Sequence, residues 1–188
     1  MQKFKDLAES LSLELIVDNG IPILRLWTDY RVEGMLQGFR VECYGETRGS
    51  GKSKSYYIIH RCYIPAGTLP KGFHLYRQGF WATLNVKFLG GQDIQVGTKE
   101  FDDKFIIRGE SEREVKQFLH PANQEKISQL FTSYSEMQVF AANICYETTE
   151  FAHSSEDSRN ILLEMAGFVY SLQTHPSSED PFASQDRW

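Results

Sequence analysis

Hydrophobic and polar positions change period several times along the chain, and each change marks an element. Phe4, Leu7, Ala8 and Leu11 fall at i, i+3, i+4 and i+7, the apolar stripe of a short opening helix. From residue 11 the period drops to two. Leu11, Leu13 and Leu15 alternate with Ser12 and Glu14, which predicts a half-buried strand. Asp18-Asn19-Gly20 is a turn signal, and residues 21–27 resume as a strand, so residues 11–27 read as a hairpin. Residues 28–38 are punctuated by Gly34 and Gly38. Residues 39–47 alternate again, with Phe39, Val41 and Cys43 on one face. The longest β-like run is SKSYYIIHRCYI, residues 53–64. Tyr56, Ile58, Cys62 and Ile64 share one of its faces with His60, and Tyr57, Ile59 and Tyr63 share the other with Arg61. Both faces are partly apolar, which predicts a central strand.

Pro65, Gly67, Pro70 and Gly72 make residues 65–72 a loop. Residues 73–77 and 81–89 read as strands, closed by Gly90-Gly91. Residues 101–109 read as a strand with Phe105 and Ile107 on one face. Ser111 and Glu114 then form a capping box for a helix striped by Val115, Phe118 and Leu119. Pro121 suits the first position of a second helix, because its missing N–H would be unpaired there in any case. Ile127, Leu130 and Phe131 line that helix. Residues 136–148 read as one strand or a hairpin, with Met137, Val139 and Ala141 alternating. Ser154 or Ser155 caps a last helix reaching about Gln173, whose broad apolar face includes Ile161, Leu162, Met165, Phe168, Val169 and Leu172. The pattern predicts an α+β fold: a twisted, mostly antiparallel sheet with short helices and a C-terminal amphipathic helix packed on it. Residues 1–173 are expected to form one domain, and the polar, proline-punctuated residues 174–188 a mobile tail.

Composition narrows the class. A chain of 188 residues fits one domain, and 13% aromatic residues can fill its core. The net charge of −5 is unevenly spread. Residues 1–104 hold 14 basic and 12 acidic side chains, and residues 105–188 hold 6 and 13. An acidic chain without clustered Lys and Arg is a poor polyanion binder, so no nucleic acid is expected. The three cysteines, Cys43, Cys62 and Cys145, are odd in number and not closely paired, which suggests reduced thiols and an intracellular setting. MQKFKDLAESL carries charges throughout and lacks the apolar region of a secretory signal. No apolar run approaches the ~18 residues a membrane span requires. A soluble, cytoplasmic protein is the expectation.

Residues 45–53, GETRGSGKS, look at first like a phosphate-binding loop. The Walker spacing needs four residues between its glycines, and five separate Gly45 from Gly51. Such a loop must also lead into a helix whose N-terminus meets the anion. Here Lys52-Ser53 leads into a Tyr- and Ile-rich run that reads as a strand. The stretch is therefore expected to be the long, flexible, basic tip of a β-hairpin. Arg48, Lys52 and Lys54 stand there as weak candidate contacts for an anionic partner, against the ordinary reading of a solvated loop.

Other candidate chemistry is sparse. His60 and Cys62 form an H-x-C pair on one strand face, but a zinc site needs two more ligands. A hairpin turning near residue 50 would put Cys43 opposite residue 57, roughly 17 Å along the strand from Cys62. Neither a disulfide nor a shared metal follows, and a packed thiol and a hydrogen-bonded imidazole are the simpler reading. Asp102 and Asp103 are expected on opposite faces of a strand, where they cannot share a proton or a metal. No G-x-S-x-G or G-x-G-x-x-G motif occurs, so no catalytic set and no cofactor are assigned. The aromatic residues Trp27, Tyr30, Phe39, Phe73, Tyr76, Phe80 and Trp81 exceed what a plain sheet needs. Core filling explains most of them. Trp27 and Trp81 remain weak candidates for an apolar pocket or a partner groove.

Residues 101–131, FDDKFIIRGESEREVKQFLHPANQEKISQLF, resemble an uncharacterised bacterial family, a domain of unknown function. Its pattern is a Phe-Asp-x-x-Phe strand, a charged turn, a helix ending in Leu-x-Pro, and a second helix. Phe101, Asp102, Phe105, Gly109, Leu119 and Pro121 stand at those places. The glycine-spaced strand pair over residues 32–64 and the final amphipathic helix are also similar, so the resemblance spans about residues 30–173. Some members look membrane-attached, and this chain has no such segment. The resemblance implies a recurrence of fold and no activity. The expected role is a non-catalytic intracellular binding or adaptor module acting on a protein partner. The alternatives are a carrier of a small apolar ligand in a sheet–helix pocket and an enzyme of unassigned class.

Overall fold

The structure, a computed structural model, describes residues 2–18, 29–49, 54–78, 93–149 and 154–173. Outside these lie residues 19–27 of the expected turn and strand, the hairpin tip at 50–53, the strand at 81–89 and the tail at 174–188. The candidates Trp27, Lys52 and Trp81, together with Phe80, fall there too.

The opening stripe forms α1 (Gln2–Leu11), buried through Phe4, Leu7 and Ala8. A strand does not begin at Leu11, as alternation suggested. The helix runs on through that residue and closes with Ser12 at φ 54°. Ser12 N–H donates to the Glu9 carbonyl at 3.3 Å and Leu13 N–H to the Ala8 carbonyl at 2.9 Å, a Schellman close with serine where glycine is usual. β1 (Glu14–Asp18) follows and pairs with β2 (Asp29–Leu36). β2 occupies residues read only as glycine punctuation. Its Gly34 lies at φ 159°, near-extended backbone that a strand accommodates, and Leu13 packs where a Cβ would project. Gln37 and Gly38, with φ 53° and 85°, make the tight two-residue turn into β3 (Phe39–Arg48).

β4 (Ser55–Tyr63) is the expected central strand. It pairs with β3 on one side and with β8 (Asn143–Thr149) on the other. β5 (His74–Arg77) pairs with β6 (Phe105–Arg108) and with β7 (Gln138–Phe140), and residues 136–148 resolve into a β7–β8 hairpin. The described strands make one antiparallel sheet of eight, ordered β1-β2-β3-β4-β8-β7-β5-β6. The expected strand over residues 101–109 is shorter than the alternation suggested. Its first residues form the one-turn α2 (Lys99–Asp102), because the Asp102 carboxylate accepts from the Val96 and Gly97 amides and holds the turn closed. At the border of the sheet, the Ile107 amide donates to the Asp93 carboxylate at 2.9 Å and the Ile107 carbonyl accepts from Ile94 N–H at 2.9 Å.

Helices cover one face. Ser111 accepts from the Glu114 amide at the start of α3 (Glu112–Phe118), and Pro121 opens α4 (Pro121–Ser133), both as their residues predict. Ser154 caps α5 (Ser155–Gln173), accepting from the Asp157 amide while its own amide donates to the Asp157 carboxylate. Leu162, Met165, Ala166 and Val169 of α5 are fully buried. They meet a sheet face built from Val32, Val41, Cys43, Ile58, Cys62 and Ile144. Each such side chain contributes roughly 1.5–3 kcal/mol on leaving water. α4 covers the other end of the sheet, where Phe131 meets Phe105 edge to face at 5.0 Å. Lys126 of α4 donates to the Ser171 carbonyl at 2.8 Å, placing a cation at the negative end of α5. The fold is α+β, as the pattern predicts. No helix among the described residues is long and apolar enough to cross a membrane.

Candidate functional site

The hairpin that begins in GETRGSGKS is a hairpin. β3 and β4 pair through Arg48 opposite Ser55, and β4 is extended rather than helical. Its register differs from the sequence estimate. Cys43 faces His60, not residue 57, because the turn falls later than residue 50. Cys43, His60 and Cys62 therefore lie together on the helix-covered face, while Cys145, opposite Arg61, lies on the other. No group of three ligand-type side chains among the described residues is placed to hold a metal. All three thiols are free and buried. Burial pushes the Cys62 thiol up to about 12, and burial with the Glu147 charge pushes Cys145 to about 11. His60 is wholly buried, with its ring 5.9 Å from that of Tyr146.

The face away from the helices carries a ladder of paired charges. Glu42, only 2% exposed, accepts from Arg61 at 2.8 Å and from the Tyr63 hydroxyl at 2.9 Å, with Arg31 at 3.8 Å. The Tyr44 ring has the Arg31 guanidinium 5.1 Å from its centre and the Arg61 guanidinium at 5.6 Å. Arg40 reaches Glu33 at 3.3 Å and lies over Tyr63. Arg48, a candidate anion contact, is committed instead: it makes 3.0 Å bonds to Glu147 and to Glu46 and lies over Tyr57. Those two carboxylates raise its pKa. Among the described residues of β2, β3, β4 and β8, four arginines thus meet four glutamates. Lys54, the other described residue of the basic tip, is exposed.

Further along the same face, His74 stacks on Phe140 at 4.3 Å and lies 4.8 Å from Tyr76. Its Nε2 is 3.4 Å from the Gln138 amide oxygen, and burial lowers its pKa to about 4. A neutral imidazole is thus built in at ordinary pH. The expected aromatic cluster is dispersed among its described members. Tyr30 stacks on Phe4 at 6.0 Å, Phe73 meets Phe118 edge to face at 5.3 Å, and Tyr76 sits on the opposite face beside His74. Asp102 and Asp103 do not share a site: Asp102 closes α2, and Asp103 pairs with Lys99.

The described residues also form concavities. A groove of about 750 Å³ runs between loop 65–72, the corner joining α3 to α4, and Ala141-Ala142 at the β7–β8 turn. Ile64, Leu69 and Phe118 give it apolar walls, while Glu114, Gln117 and His120 stand along α3 and its end. Loop 65–72 is folded by two backbone bonds, Thr68 to Pro65 at 3.2 Å and Phe73 to Pro70 at 3.1 Å. Asn123, buried at the corner, donates to the Phe118 carbonyl at 2.8 Å and fixes the approach of α3 to α4. A second cleft, of about 400 Å³, opens between the end of α4, β8 and α5, lined among others by Tyr134, Tyr146, Asp157, Asn160 and Glu164. Sequence reasoning pointed to neither. Their residues come from segments far apart in the chain, and only the helix-breaking His120-Pro121 marks one corner of the groove.

No family model, curated protein or solved structure matches this chain.

Proposed function

We propose that the protein is a non-catalytic intracellular binding module, and that it takes a short apolar segment of a partner protein into the groove beside loop 65–72. The observation that carries this reading is the make-up of the groove. Its walls include Ile64, Leu69, Phe118 and Ala141, and Glu114, Gln117 and His120 follow one another at three-residue intervals along α3 and its end. Lys71 at the same edge pairs with Glu110 at 3.0 Å. Glu114, Gln117 and His120 remain to meet the polar flank of the segment. The buried free thiols support a reducing compartment. Under α5 the residues around Cys43, Ile58 and Ser158 leave a void of only about 10 Å³, which holds a water and no larger ligand. That favours a protein partner over an apolar molecule held between sheet and helix.

The test places a photoreactive residue at Gln117, in the groove, and at Glu156, at the start of α5. Crosslinking to one discrete protein from Gln117 alone, followed by binding of that purified protein to wild type and not to Ala142→Trp, supports the reading. Equal crosslinking from both sites, or unchanged binding by Ala142→Trp, overturns it. A small apolar mass retained in native mass spectrometry would transfer the role to the ligand carrier.

A further inference from the structure

We propose that the cleft between the end of α4, β8 and α5 binds an alkylammonium head group. The inference stands on this cleft alone and is independent of the groove. Its volume, about 400 Å³, suits a small ligand or one long side chain. Tyr134 and Tyr146 supply two aromatic rings, 5.4 Å apart and inclined at 62°. Asp157 and Glu164, two turns apart on α5, supply two carboxylates to the same cleft. Ile161 and Leu163 add apolar wall, and among the described residues no lysine, arginine or histidine lines the cleft.

Each component suits an ammonium on an alkyl stem. Aromatic rings attract a cation through the negative charge of their faces, and most strongly when it is partly stripped of water. Carboxylates supply the countercharge, and the apolar wall receives the stem. The Tyr134 hydroxyl donates to a Glu164 oxygen at 3.2 Å, so this carboxylate is held in place before a ligand arrives. The phenols register the local field. Burial and Glu164 raise Tyr134 to about 12, and burial, then Glu136 and Asp157, raise Tyr146. Beyond burial, Asp157 acts on both phenols, Glu164 on Tyr134 and Glu136 on Tyr146. Anions are excluded on the same ground. A neutral alcohol of the same shape would gain the wall but not the countercharge.

The experiment titrates the full chain with butylammonium, tetramethylammonium and Nα-acetyl-lysine amide, against 1-butanol as the neutral analogue. Binding is followed by tyrosine fluorescence and by amide NMR shifts on α5. Saturable binding of the cations, with shifts confined to residues around the cleft, is expected. Glu164→Gln should weaken it about tenfold, the effect of ~1.4 kcal/mol. Asn160→Lys, an exposed change that places a competing ammonium at the cleft, should abolish it with the melting temperature kept. The stronger of the free amine and the lysine amide identifies whether a small molecule or a protein side chain is the source. Equal shifts from the alcohol, shifts spread over the surface, or binding unaltered by Asn160→Lys would sink the proposal.

Discussion

Glu42 shows how one side chain can organise a face. It is buried, and its charge is offset by Arg61, Tyr63 and Arg31 together. Removing the Glu42 charge weakens charge-assisted hydrogen bonds from arginines that water still reaches. Glu42→Gln should lower stability by about 1–3 kcal/mol in urea titration, whereas Lys71→Gln, which breaks an exposed pair, should cost under ~1 kcal/mol. His74 makes a pH prediction. Its pKa in the folded chain is about 4, below the ordinary 6.5. Between these values the unfolded chain binds a proton that the folded chain does not, so stability falls as pH falls from 6.5 towards 4. The slope cannot exceed ~1.4 kcal/mol per pH unit, because one imidazole binds at most one proton. His74→Gln should flatten the urea midpoint against pH in that window; an unchanged slope would show that another group titrates there. The alternation over residues 53–64 sets Arg61 on the face away from His60 and Cys62, and that over residues 39–47 sets Glu42 away from Val41 and Cys43. It could not say that they meet, since that depends on a register set by the turn between the strands.

At the scale of elements, local signals were readable where one residue type does one job. Ser111 with Glu114, Pro121 after His120, and the stripe from Ile161 to Val169 all mark real helices. The misreadings come from residues that serve two geometries. Ser12 was assigned to alternation, yet it takes the left-handed position that ends α1. A side chain there is strained, so Ser12→Gly should raise stability by about 0.5–1 kcal/mol, read from the denaturant midpoint. A loss would mean that the serine hydroxyl contributes more than its backbone strain costs. Gly34 was read as a break, yet it lies within β2, where a side chain would meet Leu13. Alternation makes Asp102 a strand residue, yet its carboxylate takes the Val96 and Gly97 amides of the segment just before the one-turn helix.

Over the whole molecule, neither the strand order nor the concavities were legible. β8 lies beside β4 although about eighty residues separate them, and β5 lies between β6 and β7. Such pairings are decided by which apolar faces meet after collapse, not by neighbours in the chain. The thiols report on that collapse as a whole. Cys43 and Cys62 lie under the helices and Cys145 on the far face, all buried. A thiol reagent should therefore modify none of them in the native protein. All three should react together, at a rate that rises with urea as global opening does. One site reacting early would reveal a face that opens separately. A last consequence follows from the border at β6. Ile107 has already given its amide to a carboxylate and its carbonyl to Ile94. An approaching chain finds these groups saturated and a negative charge in front of them, so this margin is a poor seed for fibrils even though Phe105 and Ile107 belong to an aggregation-prone type of segment.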